Sequence, residues 1–161
     1  MSFDACIYHF QLPQVASLAR AFPDTLIILD HIGSPLGIGP YQGRRDEALA
    51  EWRGLIGEAA ASPNVVVKLG GQGMWLAGVD WPRPPDSEAM AATFGDLFHR
   101  TIEAFGPERC MFESNFPVDR HTSSYATLWN MLKRIGAAYS EAERTAMFYG
   151  VADRVYRLGL P

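Results

Sequence analysis

The chain has 161 residues, 48% of them hydrophobic, 20% charged and 12% aromatic, with a formal charge of -4. That balance belongs to one globular domain with a sizeable core, and it excludes intrinsic disorder or a collagen-like repeat. Fourteen Lys plus Arg stand against 18 Asp plus Glu, the pI is near 5.5, and no dense basic stripe is present, so a small molecule is expected as partner and nucleic acid is not.

Phe3 to Tyr8 mixes aromatic and β-branched residues and reads as a strand; Pro13 then opens QVASLARAF, with Val15, Leu18, Ala19 and Phe22 at helical spacing. The FPD break leads into TLIILD, an apolar run of the kind buried on both faces of a parallel sheet, ending at Asp30. Residues 31–45 form a long Gly/Pro loop, and DEALAEWRGLIGEAA places Leu49, Trp52, Leu55 and Ile56 on one helical face. Ser62-Pro63-Asn64 precedes the strand VVVKL, and a second long loop follows over 70–85, where Trp75 and Trp81 are candidates for a lid or an apolar wall. Ser87 starts a helix that Gly106-Pro107 stops, and RCMFES is the fourth strand. SSYATLWNMLKRIG is a helix closed by Gly136, and Ser140 with Glu143 forms a capping-box pattern before a helical C-terminus.

Cys6 and Cys110 sit in apolar strand-like runs and are expected as small buried hydrophobes, with neither a disulfide framework nor a zinc knuckle implied. The start, MSFDACIYHF, lacks the pattern of an export signal, and no run approaches the roughly 18 apolar residues of a membrane span, so a cytoplasmic location without a membrane partner is expected.

Strands alternating with helices predict a parallel α/β fold. A doubly wound dinucleotide fold would carry glycines at its first turn, and YHFQLPQ has none. The polar residues instead fall at strand C-termini, as in a (β/α)8 barrel: His9, Asp30-His31, Lys68 and Glu113-Ser114-Asn115. About four βα units are present where a barrel needs eight, which predicts half a TIM barrel. An open half would expose strand edges and an interior layer, so dimerisation closing the barrel, a partner chain or N-terminal truncation is expected.

LDHIGSP, NVVVKLGGQGM, AFGPERCMFESNFPVD and FYGVADRVYRLGL, in that order, resemble the amidohydrolase-related ("amidohydrolase 2") family of lactonases and decarboxylases. The resemblance spans nearly the whole chain and corresponds to the last four βα units of that family's barrel. SFDACIYHFQL resembles its fifth strand, which implies that Met1 was internal to a longer barrel. The implied activity is hydrolysis of a lactone or other carbonyl C–O or C–N bond. The rivals are a decarboxylase of the same family and a non-catalytic half-barrel used for binding or assembly.

Metal-dependent members hold a divalent ion, such as zinc, through a His-x-His pair that this chain lacks, since its histidines are His9, His31, His99 and His121. His31 corresponds to the sixth-strand histidine, implying a role in polarising or protonating substrate; the alternative is a structural histidine tying down its loop. His9, at the end of the first strand, is a candidate for lining the substrate site. Asn115 stands where the family usually has Asp; an amide cannot be a base at neutral pH but can orient a carbonyl or water. Glu113 and Asp119 are candidate replacements, with Asp119 expected as a solvated partner of Arg120. Lys68, at the end of an apolar strand, is expected either to bind a substrate carboxylate or to meet a carboxylate of the protein. Arg44 and Arg45 stay unassigned, and His99 reads as a packing residue.

Overall fold

The computed structural model describes residues 1–159. Its four strands, β1 (Ser2–Ala5), β2 (Leu26–Leu29), β3 (Val65–Leu69) and β4 (Cys110–Phe112), form one sheet in the order β1-β2-β3-β4. Every neighbouring pair is parallel. The crossovers are made by α1 (Leu12–Ala21), α2 (Arg45–Ala60) and α3 (Ser87–Phe105); α4 (Tyr125–Gly136) follows β4. Two short helices end the chain, α5 (Glu141–Thr145) and α6 (Val151–Tyr156), with one π turn between them.

The helical crossovers share one face of the sheet. Ile27, Leu29, Val65, Val67, Leu69, Cys110 and Phe112 point to it and meet Leu12 and Val15 of α1, Trp52 and Ile56 of α2, Phe94 and Phe98 of α3 and Leu132 of α4. Alternation along each strand sends Ile28, Val66 and Met111 to the opposite face, together with Asp4 and Lys68, which lie in register with Ile28 and Met111. That second face is covered as well. Val151 and Val155 of α6 pack on Ile28, Val66 and Met111, and the Tyr156 hydroxyl donates to Asp4 Oδ1 at 2.8 Å. α6 therefore covers the apolar part of the layer expected to lie open, while the Asp4 side chain on the same face stays 42% exposed. Burying a valine is worth roughly 1.5–3 kcal/mol, which is why an apolar sheet face does not stay bare when an amphipathic helix can reach it.

The end of β1 and the cap of α3 differ from the sequence reading. The first strand stops at Ala5 instead of Tyr8, because residues 9–11 coil into a 3-10 turn held by the Gln11 N–H on the Tyr8 carbonyl at 2.8 Å. Cys6 then falls outside the strand and is exposed, unlike the buried Cys110. The cap of α3 is Asp86, whose Oδ1 accepts from the Glu88 and Ala89 N–H groups at 3.0 and 2.8 Å. Before α5, the Ser140/Glu143 capping box forms as its pattern predicts.

Candidate active site

The C-terminal ends of β2, β3 and β4 converge on one cluster. Beyond Leu29 the chain turns at once into Asp30–Gly33, with His31 at φ 56° and Ile32 at φ 53°. Non-glycine residues in that left-handed region are disfavoured by roughly 1–2 kcal/mol each, so surrounding contacts must impose the turn. Trp52 Nε1 donates to the Ile32 carbonyl at 2.8 Å, and Gln72 Nε2 reaches the His31 carbonyl at 3.4 Å. The backbone of Gly71, itself at φ 75°, lies against the imidazole so closely that a Cβ there would come within 2.5 Å of Nδ1. Only glycine fits.

Glu113, one residue beyond β4, brings Oε1 to 2.5 Å from His31 Nδ1, and both side chains are largely buried, at 12% and 18% exposure. Burial favours the neutral ring, but the hydrogen bond and charge of Glu113, with Asp30 and Asp119 nearby, outweigh it and raise the His31 pKa above that of a free imidazole. With Glu113 accepting from Nδ1–H, Nε2 is left to face whatever enters the site, as a donor when the ring is protonated and as an acceptor when it is neutral.

Asp119 is the residue that the sequence reading misplaced. It is 1% exposed and pairs with neither Arg120 nor water-facing groups: Oδ1 accepts from Asn115 Nδ2 at 2.7 Å and Oδ2 from the Gly73 N–H at 3.0 Å. Desolvation pushes its pKa up to about 6, against the opposing pull of those two hydrogen bonds and of His31. Pro117 and a 3-10 turn over 118–121 fold the loop back, turning Asp119 inward and leaving Arg120 exposed. The four-residue spacing from Asn115 was the available signal.

Lys68 and His9 have structural partners. Lys68 Nζ lies 2.8 Å from Asp4 Oδ1 and 2.7 Å from Asp30 Oδ1, over the ring of Tyr156. Burial disfavours its charge, but hydrogen bonds to Asp30, Asp4 and Tyr156 prevail and raise its pKa. The ammonium thus meets the protein's own carboxylates and is not presented to a ligand, the second of the two expectations. His9 is fully buried; its Nδ1 accepts from the Leu36 N–H at 3.3 Å and its Nε2 lies 3.5 Å from Glu51. Because β1 ends early, the ring is carried under the β2–α2 loop instead of lining the cluster. In the second loop, Trp81 packs on Phe94 while Trp75 is exposed, and His99 meets the Tyr139 hydroxyl at 2.8 Å on the helical side.

A family model for amidohydrolases matches residues 1–158. The chain belongs to the amidohydrolase family. It is 37% identical to an uncharacterized protein of Sinorhizobium fredii over 98% of this chain and 48% of that one, and 34% identical to an L-fucono-1,5-lactonase of Burkholderia multivorans over 99% and 52%. A solved Burkholderia multivorans amidohydrolase with bound zinc superposes with a TM-score of 0.82 at 32% identity, over 99% of this chain and 53% of the other. This amidohydrolase chain spans about half the length of the curated relatives it matches, and its four parallel strands are half of a barrel.

Among the described residues, no three His, Cys, Asp or Glu side chains are grouped so that they could hold a metal ion. Nδ1 of His31 faces Glu113 and both Asp119 oxygens are taken. The residues present do not by themselves fit a zinc centre.

Proposed function

We propose that this amidohydrolase chain supplies half of a hydrolase site that acts on a lactone or other carbonyl C–O or C–N bond, with a hydroxylated sugar lactone as the first substrate to test. The observation that carries the reading is the His31–Glu113 pair at 2.5 Å, held at the ends of parallel strands by loops that leave it little freedom. A raised pKa suits His31 as an acid and hydrogen-bond donor more than as a base. As water adds to the carbonyl and gives up a proton to solvent, negative charge develops on oxygen; protonated His31 stabilises that charge, passes its proton to the leaving oxygen or nitrogen, and regains one from solvent. Glu113 orients the ring through Nδ1–H and favours its charged form. Asn115 offers an amide for orientation. Two free thiols, Cys6 and Cys110, fit a reducing, cytoplasmic setting.

The test is turnover of a lactone panel by the purified chain, alone and mixed with the N-terminal half of a full-length relative. Turnover that appears in the mixture and disappears in His31→Gln supports the reading. Turnover that survives His31→Gln refutes it. A second reading, a non-catalytic binding or assembly module, draws on α6, which already packs on the sheet face opposite the crossover helices. Under that reading the mixture forms no complex and turns over nothing.

A further inference from the structure

Asn115 sits at φ 50°, two residues after Glu113, the partner of His31, and its side chain has two ends of opposite character. A carboxylate only accepts hydrogen bonds. The Asp119 oxygen 2.7 Å away therefore faces the Asn115 nitrogen, and the Asn115 carbonyl oxygen is turned away from it. No protein donor among the described residues reaches that oxygen.

Asp119 is itself immobilised by groups that cannot reverse. Its second oxygen accepts from the Gly73 N–H at 3.0 Å, a backbone donor, and the Gly73 carbonyl is taken by the Thr122 hydroxyl at 2.5 Å. A Cβ on Gly73 would come within 2.8 Å of Asp119 Oδ2, so the contact requires glycine. The carboxylate is 1% exposed, which shields both of its hydrogen bonds from solvent.

We propose that Asp119 is a positioning residue that locks the polarity of Asn115, so that Asn115 meets substrate as a hydrogen-bond acceptor through Oδ1 and selects a substrate carrying an O–H or N–H donor there. Asp at 115 would place two carboxylates face to face; Asn relieves that repulsion and converts the pair into a fixed acceptor. The consequence for substrate rests on the hydrolase reading above, whereas the polarity does not.

Replacing one oxygen of the carboxylate gives the sharpest test. In Asp119→Asn, the Gly73 N–H still demands an acceptor, so the introduced amide turns its oxygen to Gly73 and its nitrogen to Asn115. Two amide nitrogens cannot face each other, and Asn115 flips. Side-chain amide NMR on the labelled chain reads this directly. In wild type the Asn115 NH2 protons should be protected from exchange with water, with one shifted downfield by the carboxylate. In Asp119→Asn they should lose both properties, while a new protected amide appears from residue 119.

Freely exchanging Asn115 protons in wild type would overturn the proposal without any variant having to fold, and so would unchanged protection in Asp119→Asn. Asp119→Ala separates anchoring from inversion: Asn115 protection is lost and no new protected amide appears. Should the amide behave as expected while no lactone is turned over, the hydrolase reading fails alone; turnover with a freely exchanging Asn115 would sink the positioning alone.

Discussion

Three ionisable groups in the cluster have shifted titrations whose signs can be followed. Asp119 is raised from 3.8 to about 6 by burial, so the folded chain holds a proton that the unfolded chain has released. Its contribution to stability is complete below about pH 4 and is lost as pH rises through about 6, by at most about 3 kcal/mol. Urea unfolding across that pH range should show the decline in wild type, and Asp119→Asn should flatten it. His31 is also raised, so its pairing with Glu113 stabilises fully below roughly pH 6.5 and fades as pH climbs through the folded value. Glu113→Gln removes the charge that holds the proton; the His31 ring resonance should then titrate at lower pH, and an unmoved titration would mean that the 2.5 Å contact does not govern the ring. Lys68 stands between two acids. Lys68→Met leaves Asp4 and Asp30 without their shared cation, and thermal unfolding should show a loss of about 1–3 kcal/mol with little change at the His31 resonance.

At the scale of elements, local patterning carried the fold. TLIILD, VVVKL and the apolar stripes of α2 and α3 announce buried parallel strands and covering helices, since each segment's own spacing sets the face it buries. What stayed hidden depends on distance along the chain. His31 and Glu113 are separated by 82 positions, and nothing local to either predicts a 2.5 Å contact. Asp119 beside Arg120 looks like a surface pair until the fold of its loop is known. The run Val151–Tyr156 reads as a helix in the sequence, but its destination, the far side of the sheet, follows only from the absence of any other cover there. That contact makes α6 testable alone. Val155→Asp would bury an unpaired carboxylate against Ile28, Val66 and Met111, so α6 should detach. Binding of a dye specific for exposed apolar surface should rise sharply in this variant, while far-ultraviolet circular dichroism stays near wild type. No increase would mean that α6 is not what keeps the face dry.

For the whole molecule, the described residues form four parallel strands, half the number of a barrel. Two sheet edges and one apolar face need cover. The face is covered by α6, and Phe148 stacks on Phe112 at 4.4 Å beside β4. The outer side of β1 keeps an apolar hollow lined by Met1, Phe3, Leu18, Phe22 and Ile27, with Phe3 50% and Phe22 56% exposed. We expect barrel closure, by a second copy or by a complementary half, to compete with α6 for the face on which Val151 and Val155 pack. The competition predicts a monomer for wild type at micromolar concentration and association for Val155→Asp, where the face is freed. Light scattering with multi-angle detection across a dilution series distinguishes these states. A wild-type dimer that persists on dilution, with α6 still protected from hydrogen exchange, would show that copies meet through the β1 edge and that α6 does not control assembly. A wild-type dimer with α6 unprotected would mean that closure displaces the helix unaided, and the covered face would then be a resting form of a protein whose working form is the closed barrel.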